Sequence, residues 1–303
     1  GDEIASPLRA LELLDAWEQE LDRCYEGRSS HPVFVALAPT ITAFDIPADP
    51  FRDLLKAFRR DQTVNEYESW NDLFEYCRYS ANPVGRLVLY VCGYRDAGRQ
   101  QLSDSTCTAL QLANFWQDVS RDMEKGRLYI PLEALRRHGL SREDIEARRF
   151  DGRYAALMQE LIARTRTLFA EGEALQRSVD ARLRVDLDLF GRGGMAILQA
   201  IEKQGYNTLQ RRPAIGALQR ISLLGRAATA MVNWNCTISP TRNRMTIATT
   251  WVNDRRPRST IFTMWRYGMR LTISSPRPIA NGGMSAATPG GTMLLGASSS
   301  SRS

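Results

Sequence analysis

From Ser6 to about residue 207, apolar side chains recur at steps of three and four, and that period confines the chain to helices. Ala10, Leu13, Leu14, Trp17, Leu21 and Cys24 trace the inward face of a first helix, opened by Ser6 as its cap and Pro7 in its first turn. Asp49-Pro50 opens another, with Phe51, Leu54, Leu55 and Phe58 inward. "SWNDLFEYCRYS" carries the pattern on until Asn82-Pro83 interrupts it, and "VGRLVLYVCGY" resumes it, apolar nearly all round. Ser103 is the expected cap of the helix that follows. Tyr154, Leu157, Met158, Leu161, Ile162, Leu168, Phe169 and Leu175 outline a long amphipathic helix, and a last one spans about residues 184–207. No strand-like alternation bounded by turn signals competes with this reading. The expectation is an all-α chain with one domain over residues 1–215.

Beyond that point the composition changes. Residues 220–303 hold eleven Arg against one acid, Asp254, a net +10. With +6 for the whole chain, residues 1–219 carry −4, so the main body is mildly acidic and does not read as a nucleic-acid binder. The segment 216–303 is rich in Thr, Ser, Met and Gly, has no sustained period and ends "GASSSSRS". It reads as a disordered extension or a segment foreign to the domain before it, and the abrupt loss of periodicity near residue 217 points to a shifted reading frame or sequence error.

The class is otherwise that of a soluble globular protein, at 43% apolar and 24% charged residues. There is no run of eighteen uncharged apolar residues, and "GDEIASPLRAL" lacks the features of a signal peptide. Five cysteines without CxxC spacing read as reduced thiols, which places the protein in the cytoplasm. His31 and His138 are the only histidines, so a metal held here needs oxygen ligands, the set that suits Mg²⁺ or Mn²⁺.

One stretch has such ligands. In "LQLANFWQDVSRDMEKGRLYIP", residues 110–131, Gln111, Asn114, Asp118, Asp122 and Lys125 fall within a helical stripe roughly 80° wide, while Leu112, Trp116, Val119 and Met123 lie opposite. Two carboxylates one turn apart can reach the same divalent ion, with Asn114 adding a neutral oxygen. The same stripe is also what a solvated helix face looks like, and composition and spacing leave both readings open. Phe115 and Trp116 read as core, Gly126 as the break that ends the helix, and Arg127 and Tyr129 as residues fixing its exit.

That stretch resembles the second aspartate motif of the squalene/phytoene synthase family, with Gln111, Asn114, Asp118 and Asp122 at matching positions and Gly126-Arg127 and Tyr129-x-Pro131 in place. Upstream, "YCRYSANPVG" (residues 76–85) resembles the family's segment Tyr-Cys-x-Tyr-x-Ala-Gly-x-Val-Gly, with Asn82-Pro83 where the pattern has Gly-x. That variant, with "FWQD" and "KQGYNTLQRRP" (residues 203–213), is most similar to the bacterial hydroxysqualene synthase branch of hopanoid-type squalene synthesis. The resemblance covers about residues 1–215.

It implies an isoprenoid-synthase bundle of antiparallel helices around a central cavity, with two aspartate-rich helices facing each other across Mg²⁺ and the substrate's diphosphate. By this resemblance Asn114, Asp118 and Asp122 are Mg²⁺ ligands, Tyr76 sits near the departing diphosphate and the cation, and Gln111 supports the polar stripe. The implied reaction is ionisation of presqualene diphosphate, rearrangement and capture by water to give hydroxysqualene. Metal ions make diphosphate a competent leaving group, and a dry aromatic pocket shelters the cation. A substrate of this size implies transient contact with a membrane surface. Phytoene or dehydrosqualene synthesis is the nearest alternative activity.

The departures matter too. The family's first aspartate motif is expected just before a stretch like "GDEIASPLRAL", and Asp2, Glu3, Asp15 and Asp22 do not recreate its spacing. Twelve residues before Tyr206, where related synthases often carry a tyrosine, stands Gly194. The expectation is therefore an N-terminally incomplete bundle with half of a metal site. The other reading is an inactive truncated relative whose Arg-rich tail binds polyanions or acidic membrane.

Overall fold

The computed structural model describes residues 6–216, which form ten α-helices and a short 3₁₀ turn. They are α1 (Pro7–Tyr25), α2 (Pro32–Phe44), α3 (Asp49–Arg60), α4 (Trp70–Ser80), α5 (Asn82–Val91), α6 (Ala97–Glu124), α7 (Leu132–Arg137), α8 (Arg142–Glu146), α9 (Gly152–Glu173) and α10 (Ala181–Lys203), with the 3₁₀ turn at Ala174–Arg177. Among the described residues there is no strand, only an isolated bridge between Glu66 and Leu128. The segment from residue 217 onward, read above as a tail, lies outside the described residues.

Local chemistry sets the helix ends. Ser6 accepts from Arg9 N before Pro7 at the start of α1, and Ser69 and Asp72 form a reciprocal capping box at α4. Asp151 caps α9 through Arg153 N and Tyr154 N, and Asp180 caps α10 through Arg182 N and Leu183 N. Asn82-Pro83 divides α4 from α5 as expected, with Pro83 in the first turn of α5.

The longest helix, α6, is central: α4, α5, α9 and α10 all pack on it. Its inward side supplies Ala109, Leu112, Ala113, Phe115, Trp116 and Val119 to one large core shared with α4, α9 and α10. Trp116 is fully buried and donates its Nε1–H to Thr165 Oγ1 at 2.8 Å, so its one polar atom is satisfied inside the core. The approach of α9 to α6 depends on Gly172, where an added Cβ would lie 2.1 Å from Thr106 Oγ1 and 3.1 Å from the Leu102 carbonyl oxygen.

Four points of the sequence reading need correction. Ser103 does not cap α6, which begins six residues earlier with Asp96 accepting from Arg99 N; Ser103 is buried against α5, a neighbour that sequence alone does not reveal. Leu13 and Trp17, assigned to the inward face of α1, are 47% and 38% exposed, because α2 and α3 cover chiefly the strip through Ala10, Leu21 and Cys24; Trp17 lies at its edge, its ring against His31 and Phe34. Helix α2 was not expected at all. "PVFVALAPTITAF" is apolar on nearly every side and carries Pro39, so it has no readable period. The last helix, expected to reach residue 207, ends at Lys203, and Gly205 and Tyr206 turn the chain with φ of +68° at each.

Candidate active site on the aspartate helix

Because α6 is a regular helix through Glu124, Gln111, Asn114, Asp118 and Asp122 do share one face. All four are half-buried, not solvated. The helix stops where Gly126 adopts φ +70°, a conformation that favours glycine, and the chain leaves through Leu128 N bonded to Asn65 O at 2.7 Å and Arg127 bonded to Asp61 O at 3.0 Å. Arg127 thus fixes the helix exit, as read from sequence.

The two carboxylates differ in their surroundings. Arg212 clasps Asp118 with its Nε on Oδ1 and a terminal nitrogen 3.2 Å from Oδ2. The same nitrogen donates to Gln117 Oε1 at 2.8 Å, and Gln117 returns its amide to Pro213 O at 2.7 Å. The segment after α10 is thereby stapled along the carboxylate-bearing end of α6. Asp122 accepts no side-chain hydrogen bond from a described residue, and burial, then the charge of Asp118, push its carboxyl up to about 7.

These surroundings fit a divalent cation. An under-compensated, half-buried carboxylate beside a second one is a site that a cation stabilises, and the oxygen set of Asp118, Asp122 and the Asn114 amide suits Mg²⁺. Among the described residues no group of three or more His, Cys, Asp or Glu surrounds the position, so these residues make one wall of such a site.

Next to that wall stands a stack of rings. Phe115 and Tyr129 lie face to face at 3.8 Å between centroids, and Tyr76 approaches them at 6.2 and 5.9 Å, with Tyr67 on Tyr129 at 5.8 Å. Tyr76 is buried and donates its hydroxyl to Asp61 Oδ1 at 2.7 Å. Burial, then Tyr129 and Asp61, hold its phenol well above its ordinary pKa, so it stays protonated. Burial likewise raises Tyr129, with Asp61 and Asp122 both adding to the effect. Tyr129 therefore feels the charge of both Asp61, the partner of Tyr76, and Asp122 on α6. Phe115, assigned to the core, is buried but belongs to this stack as well.

Sequence reasoning brought together Gln111, Asn114, Asp118 and Asp122 through one period and Tyr76 through resemblance. It missed Asp61 and Arg212. Asp61 follows α3 with no motif around it, and only the fold carries it to Tyr76. Arg212 lies in "QRRP", a string quoted for its likeness yet given no role. At Gly194, an added Cβ would lie 2.3 Å from Phe169 Cζ and 3.0 Å from Leu110 Cδ2, so Phe169 fills the space a larger residue would need.

Comparison with known proteins bears on the family and the fold. The family profile described as squalene/phytoene synthase matches residues 1–219. Phytoene synthase 2 of Zea mays chloroplasts is 31% identical over 231 residues, 72% of this chain and 56% of that protein. The 15-cis-phytoene synthase of Synechococcus elongatus is 31% identical over 227 residues, 70% of this chain and 72% of that one. The chain spans about half the length of the plant relatives it matches. Among solved structures, squalene synthase HpnC from Alicyclobacillus acidocaldarius superposes with a TM-score of 0.63 at 47% identity, covering 64% of this chain and 74% of that one. A dehydrosqualene synthase in complex with ligand gives 0.66 at 25% identity, covering 73% and 78%.

Proposed function

The chain belongs to the squalene/phytoene synthase family, and from that premise we propose that it serves a Mg²⁺-dependent prenyl synthase converting presqualene diphosphate to hydroxysqualene. The observation that carries the reading is the ring stack of Tyr76, Phe115 and Tyr129, in which Phe115 sits on the helix that bears Asp118 and Asp122 and Tyr129 feels the charge of Asp122. One side of that arrangement suits a polyanion with its metal, the other a cation.

Asp118, Asp122 and Asn114 hold the metal, which when bound neutralises the diphosphate and makes it a competent leaving group. Arg212, beside Asp118, offers a fixed positive charge to the same anion, and Gln117 with the Pro213 carbonyl keeps that guanidinium in place. Gln111 continues the polar stripe one turn beyond Asn114. Tyr76, anchored by Asp61 and kept neutral by burial, presents an aromatic ring without a competing charge. Its ring, with those of Phe115 and Tyr129, stabilises the allylic or cyclopropylcarbinyl cation through their negative faces.

The preference for hydroxysqualene rests on 47% identity to the bacterial squalene synthase against 31% to the phytoene synthases and 25% to the dehydrosqualene synthase. The second reading, phytoene or dehydrosqualene formation by head-to-head condensation, has those same relatives in its favour. Presqualene, farnesyl and geranylgeranyl diphosphates, each supplied with Mg²⁺, separate the two by product: an alcohol from the first supports our reading, and C30 or C40 hydrocarbon from the others supports the alternative. No helix among the described residues is long and apolar enough to cross a membrane. The size and apolar character of such a substrate call for its loading from a membrane surface. If no diphosphate is consumed, the inactive polyanion-binding reading stands, tested by salt-sensitive binding that deletion of residues 220–303 abolishes.

A further inference from the structure

Where α4 breaks into α5, the wall near Tyr76 changes from aromatic to polar. Ser80, the last residue of α4, is 3% exposed, and its hydroxyl has no hydrogen-bond partner among the described residues. A buried hydroxyl left without a partner forfeits the hydrogen bonds it had in water, which makes an occupant for it the natural expectation. Two residues on, Asn82 is 8% exposed and accepts at Oδ1 from Thr108 Oγ1 at 2.9 Å, which leaves its amide N–H groups for another acceptor. Pro83 supplies no N–H to the carbonyl four residues before it, that of Tyr79. A buried hydroxyl without a described partner and, two residues on, an amide with N–H groups to donate are the two partners that a buried water requires.

The contacts to α6 place this break relative to the reaction. Tyr76 stacks on Phe115, and Asn82 bonds Thr108, so six residues of α4 and α5 run antiparallel to seven of α6. Ser80 lies one turn from Tyr76 on the same side of α4, and between those two contacts it falls at the level of Leu110 and Gln111. Gln111 belongs to the stripe that carries Asp118 and Asp122. In the resembling motif Ser80 stands at a variable position and Asn82-Pro83 replaces Gly-x.

We infer that Ser80 and Asn82 hold the water molecule that captures the rearranged cation, and so decide that the product is an alcohol and not a hydrocarbon. The inference rests on the proposed function and adds the positioning residues to it. A lone pair of the water oxygen forms the new C–O bond to the cationic carbon. The proton lost from the resulting oxonium goes to the released diphosphate, the base that the reaction itself generates. No oxidant or reductant enters, and neither side chain changes its protonation. One held water, not bulk solvent, confines capture to the cation that reaches the α4–α5 break.

The test supplies presqualene diphosphate and Mg²⁺ in ¹⁸O-water and reads substrate consumption and the alcohol share of product separately. The wild type is expected to give ¹⁸O-labelled hydroxysqualene. In Ser80→Ala, consumption stays within about threefold while the alcohol share falls about tenfold relative to unhydroxylated C30 hydrocarbons. Ser80→Cys, close in volume but a weaker donor, falls between the two. An unchanged alcohol share in Ser80→Ala overturns the inference, as does lost consumption in a variant that melts like the wild type, which would place Ser80 in ionisation. If Ser80→Ala does not fold, Ser80→Cys decides by the same share. A wild type that consumes no substrate or makes no alcohol overturns the proposed function itself, and that result is seen before any variant is made.

Discussion

Arg212 reaches across ninety-four residues of chain to clasp Asp118, one of the two carboxylates on the polar face of α6. The contact does two things. It neutralises one carboxylate while leaving Asp122 without a side-chain hydrogen bond from a described residue, and it ties the segment after α10 to the site through Gln117 and Pro213.

Replacing Arg212 by Met removes the only side-chain cation paired with Asp118 among the described residues. Arg212 is 33% and Asp118 17% exposed, so the pair lies between a surface and a buried ion pair, and its loss costs about 1–2 kcal/mol without metal. Mg²⁺ should then restore more stability to the variant than to the wild type, because two adjacent carboxylates without a guanidinium hold a cation more strongly. Thermal melts with and without Mg²⁺ measure both effects. An equal Mg²⁺ shift in the two proteins refutes the competition.

Asp122 gives a pH dependence of definite sign. Its carboxyl titrates at about 7 in the folded chain against about 4 when unfolded, so between those values the folded state binds the extra proton. Its contribution is fully present below about pH 4 and is lost as pH rises through about 7. Asp122→Asn removes that loss: without metal it should melt higher than the wild type at pH 8, by about 1–2 kcal/mol after discounting for solvent, and match it near pH 4. A variant less stable than the wild type at pH 8 would contradict the assignment.

Asp118→Ala and Asp122→Ala should each abolish Mg²⁺-dependent turnover and leave the helical signal in circular dichroism intact, since neither side chain belongs to the core. Turnover retained in both variants would remove these residues from the metal site. Loss of helicity would assign them to the fold.

What was legible in the sequence follows from how far each interaction reaches. The all-α class, the Asn82-Pro83 break and the α6 stripe depend on neighbours within a turn or two, and a period or a proline encodes them directly. Helix α2 escaped because residues apolar on every side have no phase to read. Ser103 was taken for a cap because a serine before an apolar run looks like one, whereas its burial comes from α5. Asp61 and Arg212 were missed for a related reason. Asp61 meets Tyr76 across fifteen residues and Arg212 meets Asp118 across ninety-four, and neither partner leaves a mark beside the other in the chain.

The packing that holds α6 in place can be tested away from the chemistry. Gly172→Ala would put a methyl group 2.1 Å from Thr106 Oγ1 and 3.0 Å from the Thr106 backbone nitrogen. The hydroxyl can rotate away, but the backbone of α6 cannot, so α9 must move outward. Such overpacking costs about 1–3 kcal/mol. Because α9 also carries Thr165, the acceptor for Trp116, the shift would lengthen a buried hydrogen bond two turns away. Gly172→Ala should therefore lower the denaturant midpoint, while Gly152→Ala, where an added Cβ meets nothing within 4 Å, should leave it nearly unchanged. Equal midpoints for the two variants would mean that α6 and α9 are free to separate, and that the stripe carrying Asp118 and Asp122 is not fixed by this contact.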